Sequence, residues 1–128
     1  MSIDIDHFKR INDQFGHPAG DLVLIEVAKQ LKASIRETDI LARIGGEEFS
    51  ILLPETSAKS ALLLAERIRE EQRKLRIIGD WPGEIKLSVS IGVSSFLASD
   101  NAFDALFSRA DKALYQAKKT SRNKVFYL

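Results

Sequence analysis

The sequence predicts an α+β domain in which helices pack against one sheet. Segments with helical and with strand-like apolar spacing alternate along the chain instead of being grouped, which is typical of helices packed on a sheet. Near the middle, two short apolar runs flank the sequence "GGEE", as in an antiparallel hairpin. The length of 128 residues suits one hydrophobic core. No linker, repeat or low-complexity tract divides the chain, so we expect a single domain over residues 1–128.

The first part of the chain predicts a strand followed by two helices. "MSIDI" predicts the end of a strand, and residues 6–15 predict a short helix with Asp6 as N-cap. We expect residues 16–20 ("GHPAG") to form a loop. Residues 21–36 predict a long amphipathic helix, because apolar residues recur there at helical spacing. These residues are Leu24, Val27, Ala28, Leu31 and Ile35.

The central hairpin leads into a third helix. "DILARI" and "FSILL" predict two strands, and Gly45 and Gly46 predict a tight turn between them because both glycines can adopt positive φ. A proline ends the second strand. Residues 56–75 then predict a helix capped by Thr56 or Ser57.

The last part of the chain predicts a strand, a helix and a closing strand. Residues 79–83 ("GDWPG") predict a turn. Residues 84–93 predict a half-buried strand, because apolar residues alternate there with small or polar ones. Residues 101–119 predict a fourth helix, and residues 124–128 predict the closing strand.

Composition excludes several classes of function. The formal net charge is +1, with both signs spread along the chain, whereas proteins that coat nucleic acid present a basic surface. The absence of cysteine excludes disulfides, thiolate zinc sites and cysteine nucleophiles, and it fits a reducing compartment. Apolar runs are too short to span a membrane, and no signal peptide is recognisable. We expect a cytoplasmic domain without nucleic-acid or membrane contact, which a longer protein could still anchor to a membrane through another region.

Four carboxylates form the first candidate site. Glu47 and Glu48 lie at the tip of the hairpin, and Asp4 and Asp6 lie at the end of the first strand. If that strand runs beside the hairpin, Asp4 and the two glutamates converge at one end of the sheet. Mg²⁺ prefers one or two carboxylates together with phosphate oxygens and water. The adjacent glycines would let a phosphate approach the backbone, so the pattern indicates metal-assisted phosphoryl or nucleotidyl transfer.

A simpler interpretation of the same acids stays open. Glu47 and Glu48 could be solvated turn residues, and Asp4 and Asp6 could start the first helix. Short acidic motifs often match by chance. Successive strand residues also point to opposite faces, so both glutamates can serve one ion only if the turn breaks this alternation.

Four segments carry a resemblance that covers nearly the whole chain. They are "DIDHFKRINDQFGHPAGD" (4–21), "GGEEF" (45–49), "SIGV" (90–93) and "RADKALYQAKKTSRN" (109–123). In this order and spacing, the chain resembles the GGDEF domain of diguanylate cyclases in its GGEEF form. The resemblance implies a palm-like, ferredoxin-like α+β fold similar to nucleotidyl cyclases. Its central antiparallel sheet would be flanked by helices, with the GGEEF hairpin projecting from it.

The resemblance also implies an activity. Two GTP molecules would condense to cyclic di-GMP with loss of two pyrophosphates, and each of two facing domains would hold one GTP, so that only a homodimer reacts. The alternative is a catalytically silent signalling module that binds GTP or cyclic di-GMP. A palm-type transferase acting on nucleic acid is disfavoured by the near-neutral charge and by the lack of an aromatic and basic stripe.

Position by position, the resemblance assigns a metal site and catalytic acids. Asp4 and Glu48 would ligate Mg²⁺, with Mn²⁺ as a substitute, helped by the carbonyl of Ile5. Glu47 would be a further metal ligand or the base that takes the 3′-hydroxyl proton. Glu47 and Glu48 are therefore the expected catalytic residues, and both roles fit two-metal chemistry.

The resemblance assigns the substrate contacts as well. Asn12 and Asp21 would bind guanine, since a carboxylate accepts from its N–H groups and an amide both donates and accepts. Lys118 and Arg122 would hold the terminal phosphates and share a face if the last helix extends that far. Asp21 is also expected to cap the long helix, and the two cations also suit a helix C-terminus. The other expected substrate contacts are Phe8, Lys9, Gly45 and Gly46.

A second site is implied by "RETD", residues 36–39. It looks like the inhibitory site of the family, at which cyclic di-GMP would bind Arg36, Asp39 and Arg67 and hold two domains in an unproductive arrangement. Guanidinium groups suit both phosphate and the guanine edge. In isolation, the same residues would be read as a surface ion pair worth less than about 1 kcal/mol.

The chain departs from the family pattern in two places. It begins almost at Asp4, so we expect it to lack the N-terminal helix of the family and the start of the first strand. Ser121 stands where the family usually has glycine, which would matter if this position needed positive φ.

Overall fold

The computed structural model describes all 128 residues, as a five-stranded sheet with four helices. The strands lie side by side in the order β2-β3-β1-β4-β5. Along the chain the elements are β1 (Ser2–Ile5), α1 (Phe8–Phe15), α2 (His17–Ser34), β2 (Ile40–Gly45), β3 (Glu48–Leu52), α3 (Ala58–Arg73), β4 (Val89–Val93), α4 (Phe103–Thr120) and β5 (Val125–Tyr127). No helix combines the length and the apolarity needed to cross a membrane.

The predicted α+β class is confirmed, with one difference in strand direction. Strands β2, β3, β1 and β4 pair antiparallel, as expected, whereas β5 runs parallel to β4. Helix α4 connects β4 to β5, and a parallel pair needs such a crossover connection. The first strand of the sequence thus lies at the centre of the sheet, directly beside the hairpin.

The two faces of the sheet are covered differently. One face carries the main apolar core, in which Ile3 and Ile5 of β1 pack with buried residues of α2 and α3. The other face is covered by α4, which packs closely on β4. A Cβ atom at Gly92 would overlap the carbonyl oxygen of Ala110 and the backbone nitrogen of Leu114. The lack of a side chain at Gly92 therefore sets how near α4 can lie to the sheet.

Two predicted boundaries are wrong for identifiable reasons. Helix α2 begins at His17, so residues 17–20 are helical and Asp21 does not cap the helix. A proline in the first turn of a helix is favourable, because its missing N–H has no helical partner there. Strand β4 begins at Val89 instead of residue 84, because Val89 already pairs with Ile5, the last residue of β1. Upstream, Ile85 forms only an isolated bridge with Ile77.

Candidate active site

Asp4 and Glu48 lie opposite each other on neighbouring strands. They are register partners in the antiparallel β1–β3 pair, at the end of the sheet where the hairpin turns. Asp4 is buried, and Glu48 is half-buried. The convergence of the first strand and the hairpin that the sequence predicted is confirmed for this pair.

The hairpin turn differs from the predicted glycine turn. Gly45 ends β2, and neither Gly45 nor Gly46 has positive φ, so the expected reason for the two glycines is wrong. The register shifts between Arg43 and Gly45, and Arg43 Nε donates a 3.0 Å hydrogen bond to the carbonyl of Gly46. A Cβ atom at either glycine would meet nothing within 4 Å, so the space beside the turn is open to a ligand.

This irregular turn also decides where Glu47 lies. Glu47 precedes β3, and its carbonyl accepts a 3.2 Å hydrogen bond from the backbone N–H of Ile5. Its carboxylate is near enough to Asp4 to raise the pKa of that aspartate. The break in strand alternation that two adjacent glutamates need in order to approach one site is therefore present.

Electrostatic conditions at this end of the sheet disfavour two bare carboxylates. Burial raises the pKa of Asp4 above its ordinary value of 3.8; Lys118 opposes the shift, whereas Glu47 and Asp6 add to it. Burial also raises the pKa of Glu48 above 4.5, with further contributions from Asp111 and Asp4. Such mutual repulsion is relieved by a cation.

Lys118 already supplies one positive charge. Its Nζ donates a 3.1 Å hydrogen bond to Asp4 Oδ2, which joins α4 to β1. Asp111 lies seven residues earlier on α4, and its Oδ1 accepts a 2.7 Å hydrogen bond from Ser2 Oγ. Asp111 was not among the residues predicted for the site. The spacing from Lys118, which puts both residues on one helix face, was the available signal.

The donor set fits a hard divalent cation. Asp4, Glu47 and Glu48 offer carboxylate oxygens, and an excess of negative charge surrounds them. No three acidic or histidine side chains are gathered closely enough to hold a metal ion by themselves. Mg²⁺ does not require such a cage, because it is usually bound by one or two carboxylates plus substrate phosphates and water.

Asp6 has a different role from the predicted helix cap. Helix α1 is preceded by His7 and has no side-chain cap. Asp6 is buried and accepts hydrogen bonds from the hydroxyls of Ser88 and Ser90, both at 2.6 Å, and from the Asn123 backbone N–H at 2.9 Å. It therefore fastens the turn between α4 and β5 to the end of β1.

That turn carries Arg122 off the helix. Helix α4 ends at Thr120, so Arg122 and Lys118 do not share a helical face, although their spacing in sequence would have allowed it. Arg122 and Asn123 have positive φ, at 57° and 46°, whereas Ser121 has φ of −172°. The serine at this position therefore carries no left-handed strain. Arg122 is exposed beside the segment that Asp6 holds.

The other expected substrate residues lie on α1 and at the start of α2. Phe8 and Asn12 are one helical turn apart on α1 and half-buried, and Lys9 is exposed. Both Phe8 and Asn12 border Gly20 on α2, and the exposed Asp21 follows it. The structure thus brings Asn12 and Asp21 to the same helix junction, as a shared binding role requires.

The three residues of the expected inhibitory site share one surface. The Arg36 guanidinium donates to both carboxylate oxygens of Asp39, at 3.0 and 3.3 Å, and to Thr56 Oγ1 at 2.7 Å. Burial raises the pKa of Asp39, but hydrogen bonds from the side chain and backbone of Arg36 outweigh this and lower it overall. Arg67 donates a 2.9 Å hydrogen bond to the Ser34 carbonyl, two residues before Arg36.

Sequence comparison identifies relatives of this chain. The sequence model of the family described as "Diguanylate cyclase, GGDEF domain" matches residues 1–124. Diguanylate cyclase A of Treponema denticola is 48% identical over 125 residues, and response regulator PleD of Caulobacter vibrioides is 43% identical over 126 residues. Each alignment covers 98% of this chain but only 33% and 28% of the respective relative. The chain therefore spans about a third or less of the length of these relatives.

Solved structures agree in fold. The structure of the active GGEEF domain of a diguanylate cyclase from Vibrio cholerae aligns with a TM-score of 0.91 and 40% identity, over 98% of this chain and 79% of that one. The GGDEF domain of DgcB from Caulobacter crescentus, solved in complex with c-di-GMP, aligns with a TM-score of 0.93 and 32% identity, over 98% and 74% of the two chains. Diguanylate cyclases of this kind are generally metal-dependent. From the match over nearly its full length, the chain belongs to the GGDEF domain family of diguanylate cyclases.

Proposed function

We propose that this chain is a catalytic domain that condenses two GTP molecules into cyclic di-GMP. The 3′-hydroxyl oxygen of each GTP forms a bond to the α-phosphorus of the other, each α–β phosphoanhydride bond breaks, and two pyrophosphates leave with release of the hydroxyl protons. The observation that carries the proposal is the cross-strand pair of Asp4 and Glu48, two carboxylates with raised pKa at the open end of the sheet.

The acids at the hairpin are the proposed metal site. Asp4 and Glu48, with the carbonyl of Ile5, would hold Mg²⁺, for which Mn²⁺ could substitute. A bound cation would neutralise phosphate charge and stabilise the attacking and leaving oxygens. Glu47 completes the ligand set or accepts the proton of the 3′-hydroxyl. Gly45 and Gly46 present an open backbone surface beside the triphosphate, since no side chain occupies that space.

Residues outside the hairpin bind the two ends of GTP. Asn12 and Asp21 hydrogen-bond the guanine edge, and Phe8 borders the same space. Lys118 and Arg122 neutralise the terminal phosphates, and the exposed Lys9 of α1 is a further substrate contact. Lys118 suits this role because it already lies beside the proposed metal ligand Asp4.

The reaction needs a second copy of the domain. Each domain has one such constellation, so it holds one GTP and supplies half of the reacting groups. Two copies must face each other for a 3′-hydroxyl to reach the α-phosphate of the other nucleotide. We therefore propose a homodimer as the active species, and activity should rise faster than linearly with protein concentration while the dimer is dissociated.

Product inhibition is the second part of the proposal. Cyclic di-GMP binds the surface formed by Arg36, Asp39 and Arg67, whose guanidinium groups suit phosphates and the guanine edge. The near-complete burial of Asp39 and its hydrogen bonds fix the orientation of Arg36. Calorimetric titration should detect cyclic di-GMP binding that Arg36→Ala abolishes; unchanged binding in that variant would refute this site.

The proposal is tested by following radiolabelled GTP with Mg²⁺ over a range of protein concentrations. Chromatography should detect cyclic di-GMP and pyrophosphate with wild-type protein and with Glu84→Gln, an exposed carboxylate control, but not with Glu48→Gln. GTP binding without product at any concentration would refute the enzyme and leave the silent nucleotide-binding module as the function of this chain.

A further inference from the structure

Gly20 lies buried at the point where α1 and α2 meet. It is the fourth residue of α2, and the residues opposite it are Phe8 and Asn12 of α1. A Cβ atom at Gly20 would overlap Asn12 Oδ1, lie 2.9 Å from Asn12 Cγ and lie 3.3 Å from the ring of Phe8. The space that a side chain at this position would fill is thus occupied by the Asn12 amide.

Glycine is an unfavourable choice for helix propagation. Within a helix, alanine is more stable than glycine by about 1 kcal/mol, because glycine loses more backbone entropy on folding. Gly20 has a helical conformation and needs no positive φ. The absence of a side chain at Gly20 therefore makes room for the Asn12 side chain and is not needed by the backbone of α2.

No hydrogen bond fixes the side chain of Asn12, the residue that Gly20 makes room for. The Asn12 side chain forms no hydrogen bond within the protein, and it is half-buried, so its amide is available to a ligand. The exposed carboxylate of Asp21 follows Gly20 directly. Packing against Gly20 is thus what fixes the place of the Asn12 amide relative to Asp21.

We propose that Gly20 is a specificity-determining positioning residue, which keeps the Asn12 amide beside Asp21 so that both face the guanine base. The inference rests on the proposed function, because it assumes that Asn12 and Asp21 contact the nucleotide. It adds a residue that touches no ligand and acts only through Asn12 and, to a smaller extent, through Phe8.

The variant Gly20→Ala separates this role from a structural one. The atoms that a Cβ would meet belong to the ends of the Asn12 and Phe8 side chains; the Asn12 amide can rotate away and the Phe8 ring needs to shift only slightly, so neither helix has to move. We therefore expect Gly20→Ala to melt at the same or a higher temperature than wild type. Its preference for guanine should fall by about tenfold, the equivalent of one lost hydrogen bond.

The test measures binding and not turnover, using 3′-deoxyGTP and 3′-deoxyATP, which lack the attacking hydroxyl. Calorimetry compares wild type, Gly20→Ala, Asn12→Ala, the double variant and Lys29→Ala, an exposed control on α2. The expected result is a similar loss of guanine preference in both single variants with no further loss in the double variant, because both remove one contact. Lys29→Ala should bind as wild type does.

The outcomes distinguish the inference from the proposed function. A loss in Asn12→Ala with wild-type binding in Gly20→Ala, additive losses in the double variant, or a lowered melting temperature of Gly20→Ala would each overturn the role of Gly20 alone. If wild-type protein does not prefer guanine, or if Asn12→Ala binds normally, the proposed guanine contact fails and the inference with it.

Discussion

Lys118 Nζ lies 3.1 Å from Asp4 Oδ2, which ties the last helix of the chain to its first strand. Lys118 is the only cation that is hydrogen-bonded to Asp4 or Glu48. It lies at the end of α4, just before the turn that carries Arg122. Asp4 is buried, and Lys118 is about one-third exposed. In the proposed function, Lys118 would compensate the negative charge of Asp4 before the nucleotide binds and would contact phosphate afterwards.

Removing this lysine should weaken both nucleotide binding and the fold. In Lys118→Met the triphosphate loses a charged contact, so we expect KM for GTP to rise about tenfold, with a stability loss of about 1 kcal/mol because a mostly buried carboxylate loses its partner. Steady-state kinetics and urea denaturation measure the two effects. Lys119→Met, one residue further along α4, is the matched control. Equal KM values in both variants would argue against a specific role for Lys118.

Replacing Glu48 should abolish activity and stabilise the protein. In Glu48→Gln the loss of a metal ligand should reduce kcat on the order of 100-fold or more, since metal-ion stabilisation contributes several kcal/mol. The folded protein without nucleotide should become more stable at neutral pH, because the variant removes one of two repelling carboxylates.

The stabilisation should depend on pH in a defined direction. The pKa of Glu48 is raised above 4.5 in the folded state, so folded wild type binds more protons than unfolded protein and loses stability as pH rises through the raised pKa. The difference in melting temperature between Glu48→Gln and wild type should therefore be absent below pH 4.5 and full above the raised pKa. A difference that is constant with pH, or that grows as pH falls, would contradict the repulsion.

Gly92→Ala should lower the stability of the folded protein, whereas Gly20→Ala should not. At Gly92 the atoms that would overlap belong to the backbone of α4, which cannot rotate away. We expect a loss of about 2 to 3 kcal/mol in urea denaturation, as in overpacked cores, together with a lower kcat because α4 carries Lys118. Stability equal to that of wild type would show that α4 does not depend on this close approach.

Asp6→Ala should loosen the turn after α4. It removes three hydrogen bonds to a buried carboxylate, so we expect a loss of about 3 kcal/mol. Asp6→Asn keeps two acceptor sites on one oxygen and should lose about 1 kcal/mol. Amide hydrogen exchange at Asn123 should speed up in Asp6→Ala more than at buried amides of β1. Uniform acceleration across both would mean that Asp6 supports the whole fold and not this turn.

The sequence predicted features that follow from strand pairing and from the spacing of apolar residues. The approach of Asp4 to the hairpin acids was expected on the condition that the first strand runs beside the hairpin, and alternating apolar residues predicted the strand over residues 84–93, which begins only at Val89. The parallel direction of β5 could not be predicted, because direction depends on how α4 crosses the sheet. The role of Asp6 was likewise hidden, since its partners are more than 80 residues away in sequence.

Other features were missed for local reasons. Residues 17–20 contain glycine and proline, which suggest a loop, yet the proline fits the first turn of a helix and the helical glycine leaves room for the Asn12 side chain. Arg122 lies beyond the end of α4 in a left-handed conformation that no spacing rule predicts. The close approach of the Asn12 amide to Gly20 depends on how α1 meets α2, so it becomes visible only in three dimensions.

The central claim is that Asp4 and Glu48 bind the divalent cation of the nucleotide complex. The most direct measurement is electron paramagnetic resonance of bound Mn²⁺, which can replace Mg²⁺, in the presence of 3′-deoxyGTP. Wild type and Glu84→Gln should bind Mn²⁺ tightly, whereas Asp4→Asn and Glu48→Gln should each lose that bound signal. Equal Mn²⁺ binding in all four proteins would contradict the claim, because the metal would then be held by the nucleotide alone or by other residues.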